Sequence, residues 1–145
     1  GNLKIAFVVP MTSIRKTFKA VFSASKGTGL KSNMVMGPQD VLKENYDIVF
    51  VDESHRLARR KGITSYGSFD EACARLGLDP MVSTQLDMIQ KKSKYSVLVY
   101  DGCQTVKAAD LTPEQFQRSL DLRTRTVHRV TLQTQILIIS IEFFK

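Results

Sequence analysis

The segment Asp47-Ile48-Val49-Phe50-Val51-Asp52-Glu53-Ser54-His55 joins a short apolar run to two adjacent carboxylates. A strand without polar alternation is buried on both faces, which suits an inner strand of a parallel α/β sheet. Ligands of such sheets bind outside the carboxyl ends of the strands. Asp52 and Glu53 stand at such an end, and two neighbouring acids repel each other unless a cation or a proton relay employs them. The pair therefore reads as an Asp that holds magnesium followed by a Glu that activates water. The competing reading is a solvated acidic turn after a core strand.

The rest of the chain supports an α/β organisation. Lys4 to Val9 predicts a first strand, and Pro10-Met11-Thr12-Ser13 turns the chain into a helix reaching about Ser23, with Ile14, Phe18, Val21 and Phe22 on its inner face and Arg15, Lys16 and Lys19 outward. A Ser/Gly/Lys-rich loop, an extended piece from Asn33 to Met36 and a brief helix from about Gln39 to Glu44 lead to the acid-ended strand. Arg56 to Tyr66 reads as a helical turn and a surface loop. Ser68-Phe69-Asp70-Glu71 has capping-box spacing and predicts the start of a helix that ends near Gly77. Thr84 to Lys92 predicts another helix, and Ser96 to Tyr100 a second buried strand, again ending in an acid, Asp101. Thr112-Pro113-Glu114-Gln115 combines a cap, a first-turn proline and a capping-box glutamine, so a helix should run from Pro113 to about Leu122. Val127 to Leu132 reads as a further strand. The expected fold is a three-layer α/β sandwich with a mostly parallel sheet, one domain over residues 1–145.

Composition narrows the class without naming it. Cys73 and Cys103 lack metal-ligand spacing and are too few for a disulfide framework, so both read as reduced thiols, and the expected location is cytoplasmic. No stretch approaches the length of a membrane span. A net charge of +7, with basic residues recurring from Arg56 to Lys61 and from Arg118 to Arg129, favours polyanionic partners such as DNA or RNA.

Two buried strands ending in acids would set Asp52, Glu53 and Asp101 along one rim, which makes Asp101 a candidate for cofactor binding. Tyr100-Asp101-Gly102-Cys103-Gln104 adds a glutamine able to bond a terminal phosphate or an attacking water; alone, the motif could be an ordinary Asp-Gly turn.

In order along the chain, VVPMTSIRKT, VDESHRL and YDGCQTV resemble motifs Ia, II (the Walker B element) and III of superfamily 1 helicase-like ATPases. The longer run from MGPQDVLKENYDIVFVDESHRL through TSYGSFDEACARLGLD to YDGCQTVKAADL resembles the helicase-like family called domain of unknown function 2075, over about Ile5 to Gln135. The resemblance implies a RecA-like, P-loop NTPase fold, with ATP and magnesium as cofactors and DNA or RNA as partner. It implies that Asp52 holds the metal, Glu53 activates water and Gln104 senses the terminal phosphate. Thr12 and Ser13, at the motif Ia position, would touch a nucleic-acid phosphate; their alternative role is helix capping.

Two departures qualify this picture. No G-x-x-x-x-G-K-[ST] phosphate loop is present, and Gly27-Thr28-Gly29-Leu30-Lys31-Ser32 fails because Leu30 separates glycine from lysine. The chain is therefore expected to be an internal fragment of an ATPase, inactive alone. Where the family would carry an arginine that stabilises transition-state charge, this chain has Leu137. The apolar tail Ile136 to Phe144 is expected to fill a vacant position in a sheet, its own or that of a second copy in a homodimer. A non-catalytic nucleic-acid or protein binding module, working through Arg56, Arg59, Arg60, Lys61, Arg123, Arg125 and Arg129, remains the alternative. A magnesium-dependent phosphatase or nuclease is a third reading.

Overall fold

The computed structural model describes residues 1–101, 107–123, 126–132 and 135–141, with side chains described up to residue 121. Four strands, β1 (Ile5–Val8), β2 (Val35–Met36), β3 (Tyr46–Val51) and β4 (Ser93–Tyr100), form a parallel set in the order β2-β1-β3-β4. Two more, β5 (Thr126–Leu132) and β6 (Gln135–Ile141), extend the sheet beyond β4 as antiparallel strands in the order β4-β6-β5. The fold is an α/β sandwich with a mostly parallel, RecA-like sheet.

Strand alternation divides the core. Ala6, Val8, Val49, Val51 and Leu98 face one side, where Leu86 and Ile89 of α3 (Gln85–Lys91) and Phe116 and Leu120 of α4 (Pro113–Arg123) pack against them. On the other side Phe7 stacks on Phe50, with ring centroids 4.8 Å apart, and meets Phe22 edge-on at 4.7 Å. Phe22 belongs to α1 (Thr12–Ala24), which covers that face with Ile14 and Phe18. A smaller cluster of Phe69, Ala72, Cys73 and Met88 joins α2 (Tyr66–Leu76) to α3. Cys73 is a free, buried thiol, pushed up to about 11 by burial first and by the nearby acids Asp70, Asp87 and Asp79 second, so it is a packing residue rather than a nucleophile. Cys103 lies outside the described residues.

The capping signal acted as the sequence predicts at α4, and α3 carries a cap that was not singled out from the sequence. Thr84 and Asp87 form a reciprocal capping box on α3. Thr112 and Gln115 do the same at α4: Gln115 N donates to Thr112 Oγ1, and Thr112 N donates to Gln115 Oε1. Elsewhere the structure corrects the reading. Helix α2 begins at Tyr66, ahead of the Ser68–Glu71 spacing, and Ser68 turns its hydroxyl back to Ser65 instead of capping. Its end does fall at Gly77, which takes the left-handed conformation (φ 67°) that glycine adopts without a Cβ penalty. In α1, Val21 is 55% exposed while Phe22 takes the inward place against Val9 and Val35. Arg15 does not point outward either: its Nε and Nη2 donate to Val9 O at 3.1 and 3.0 Å, satisfying a carbonyl left over where β1 ends.

The apolar tail finds its partners at home. Residues Ile136 to Ile141 oppose Tyr100 to Tyr95 of β4, and Gln135 to Ile141 oppose Leu132 to Thr126 of β5. Both edges of β6 are occupied within the chain, so strand exchange with a second copy is not needed to satisfy it. The tail thus fills a position in its own sheet, as expected, beside β4, while the other edge of β4 pairs with β3, Tyr46 opposite Ser93 through Val51 opposite Leu98. Direct pairing satisfies backbone groups that a gap would strand.

Candidate active site

The parallel set points the carboxyl ends of β1, β3 and β4 to one edge, and every described candidate of the sequence follows one of those ends. Thr12 and Ser13 come after β1, Asp52 and Glu53 after β3, and Asp101 after β4. Gln104 lies outside the described residues.

At the end of β3 the backbone makes an abrupt turn. Asp52 N still donates to Val8 O, 3.0 Å away, as the last bond of the β1–β3 ladder. Glu53 then adopts φ 49° and ψ 48°, the one left-handed non-glycine conformation among the described residues, at a cost of about 1–2 kcal/mol. A single 3-10 turn, Ser54–Arg56, follows. Buried Ser54 anchors it to the neighbouring strand by donating Oγ to Val99 O at 2.8 Å.

His55 ties the two acid-bearing ends together. It is 2% exposed, and its Nδ1 accepts the backbone N–H of Asp101 at 3.3 Å. An accepting Nδ1 carries no hydrogen, so in the neutral ring the N–H is at Nε2. Nε2 lies 3.1 Å from Glu53 Oε2, off the line of a good hydrogen bond. The ring is held by Tyr100 edge-on at 5.9 Å, and Tyr100 packs on Phe116 of α4 at 4.5 Å. Arg56 also reaches Glu53, with Nε 3.5 Å from Oε2, and its Nη1 lies 3.9 Å from Asp110 Oδ2.

Asp110 belongs to a loop stitched to the chain after the turn: Leu111 N donates to Leu57 O, Arg59 N to Ala109 O, and Ala58 bridges Asp110. Beside it is a cleft of about 320 Å³ lined by Pro10, Met11, Thr12, Ser13, Arg56, Lys107 and Asp110. Thr12 and Ser13 are exposed, and no side-chain bond caps α1, so the capping alternative for them is not what the fold uses. Arg56 thus stands between Glu53 and this cleft.

Asp52 is held above the ordinary aspartate value of 3.8, by burial first and by the Glu53 charge second. A raised value means that the folded state favours protonated Asp52; its ionised form costs stability once pH rises through that value, and below 3.8 the cost vanishes. Asp52→Asn should therefore raise the thermal midpoint at pH 7 by a few degrees, with the gain fading as pH falls below the ordinary aspartate range. Thermal melts of both proteins from pH 3 to pH 8 check this; a lower midpoint for the variant at pH 7 contradicts it.

Residues 9–138 match the family described as Schlafen group 3, DNA/RNA helicase domain. The chain belongs to that family. The resemblance to helicase-like ATPases therefore holds at the level of a helicase domain, and the family matched is the Schlafen one, not domain of unknown function 2075. Comparisons of the helicase domain with curated proteins and with solved structures gave no match. No helix among the described residues is long and apolar enough to cross a membrane.

Sequence reasoning named the three acids Asp52, Glu53 and Asp101 but gave no role to His55, Tyr100 or Asp110, and treated Arg56 only as part of a basic cluster. The signal for His55 was its position, two residues beyond the acid pair.

Proposed function

We propose that this helicase domain supplies the water-activating and metal-holding edge of a nucleic-acid-dependent ATPase of the superfamily 1 type. The observation that carries the reading is the clustering of Asp52, Glu53 and Asp101 at adjacent parallel strand ends, with buried His55 linking Asp101 N to the Glu53 carboxylate.

Magnesium fits the donor chemistry of this edge. Among the described residues no group of three or more His, Cys, Asp or Glu side chains could enclose a metal ion. Magnesium needs no such cage, since it binds through one or two carboxylates together with substrate phosphates and water. Burial first and the Glu53 charge second raise Asp52, and a bound cation would offset the cost of ionising it there. Asp52 would hold the ion, which when bound with ATP neutralises charge developing on the phosphates. Asp101 would line the nucleotide side of the same edge. Glu53 would take the proton of the attacking water, its carboxylate positioned by His55 and Arg56, and Gln104 would sense the terminal phosphate. Because His55 touches the backbone at Asp101, a shift of the β4 end on nucleotide binding would reach Glu53 through one ring. Thr12 and Ser13, exposed at the start of α1, would meet a nucleic-acid phosphate.

The chain as given contains no G-x-x-x-x-G-K-[ST] sequence, the source of the backbone donors and lysine that cradle β- and γ-phosphates. By itself it should show no ATP turnover. Joined to a segment that carries such a loop, it should hydrolyse ATP, and faster when single-stranded oligonucleotide is added. Turnover that stays at background in the joined protein, with nucleotide bound, overturns the reading.

A further inference from the structure

The polypeptide leaving the Glu53 turn builds a second groove that the catalytic reading does not use. It measures about 390 Å³ and is lined by Arg59, Arg60, Lys61, Tyr66, Met81 and neighbouring polar side chains, with no carboxylate in the lining. Tyr66 and Met81 are 46% and 73% exposed, and the adjoining Val82 is 47% exposed. Among the described residues, half of the large exposed apolar side chains thus gather beside three consecutive cations.

The three cations have different jobs. Arg60 is committed to Asp70 by a two-pronged pair, Nε to Oδ1 at 2.8 Å and Nη2 to Oδ2 at 2.9 Å. Its guanidinium lies 5.0 Å from the centre of the Tyr66 ring, so the Asp70–Arg60 pair backs that ring and fixes it at the rim. Arg59 donates Nε to a neutral carbonyl, Ala108 O at 3.1 Å, and Lys61 is exposed. Neither has a carboxylate partner among the described residues, so both keep their charge for a ligand.

A rigidly backed, exposed aromatic ring flanked by two uncompensated cations is the chemistry that binds a single nucleic-acid strand, one base stacking while the backbone phosphates lie along the basic residues. We propose that this groove, formed by the segment between β3 and β4, holds a single DNA or RNA strand, with a base on Tyr66 and phosphates on Arg59 and Lys61. It rests on the reading of the chain as a nucleic-acid-dependent helicase domain, and it assigns strand binding to a surface apart from Thr12 and Ser13. Since the basic run continues directly from the turn that carries Glu53, a strand in the groove pulls on the same segment that positions the water-activating carboxylate.

The test is fluorescence anisotropy of the full chain with a fluorescein-labelled oligo(dT) of about twenty nucleotides at several salt concentrations. Tyr66→Ala should weaken binding about tenfold, and Tyr66→Phe should stay within about twofold of wild type, because stacking uses the ring and not the hydroxyl. Lys61→Gln should lower the slope of log affinity against log salt by about 0.7, the share of one phosphate contact on a single strand. If Tyr66→Ala fails to fold, Lys61→Gln, altering an exposed side chain, decides alone. Oligonucleotide binding that both variants leave unchanged, or that falls only on Thr12→Ala or Ser13→Ala, overturns the groove while leaving the helicase reading in place. A wild-type chain that binds no oligonucleotide at all removes the nucleic-acid part of that reading and the groove with it.

Discussion

Glu53→Gln should lower ATP turnover by a factor of about 10²–10⁴ in a polypeptide that joins this chain to a phosphate loop, while ATP affinity stays near the unsubstituted value. The amide keeps the length and shape of the side chain but cannot accept a proton from water. It can still lie against His55 Nε2 and Arg56 Nε, which sit 3.1 and 3.5 Å from the Glu53 carboxylate, so the turn should hold. The left-handed backbone at Glu53 is unaffected by a change beyond Cγ, and equal thermal midpoints would show that the loss lies in the chemical step. Phosphate release gives the rate, and a nucleotide titration gives the affinity. Turnover equal to that of the unsubstituted protein rejects Glu53 as the base, and a parallel loss of affinity would move its role from proton transfer to binding.

Removal of Ile136 to Lys145 should abolish cooperative unfolding and drive the protein into aggregates. Strand β6 is the only described link between β5 and the rest of the sheet, and it closes the free edge of β4. Without it Tyr95 to Tyr100 become an open edge of the kind that recruits other chains. A domain of this size is stable by only about 5–15 kcal/mol, a margin that the loss of an internal strand exceeds. Ile138→Pro is the milder version: it removes one backbone donor from the middle of β6 and should lower the thermal midpoint strongly without shortening the chain. Light scattering and thermal melts follow both variants. A truncated chain of unchanged solubility, mass and midpoint would show that β6 contributes nothing to the sheet.

How much was legible beforehand depended on whether the determinant was local. The inner place of β3 shows in Ile48-Val49-Phe50-Val51, since no polar residue interrupts them, although only Val49 and Val51 are fully buried while Ile48 and Phe50 are half-buried, and its acids then sit at a strand end. The cap of α4 shows because Thr112 and an acceptor three residues on, Gln115, meet once the helix forms. The same spacing misled at Ser68 and Glu71: packing of Phe69, Ala72 and Cys73 on Met88 favoured a helix already running at Tyr66.

What joins the site is not local. His55 and Asp101 stand 46 residues apart and meet because β3 and β4 are adjacent and parallel in one register. Arg56 and Asp110 likewise meet only through tertiary structure, and Phe116 reaches the His55 ring through Tyr100 because α4 packs into the same core as the strands. The tail shows the division most plainly. Its apolar, β-prone residues mark Ile136 to Phe144 as a strand former, and Gln135–Ile141 is a strand. Which strands it pairs with, and in which direction, was decided by the open edge of β4, a feature that exists only once the sheet has formed.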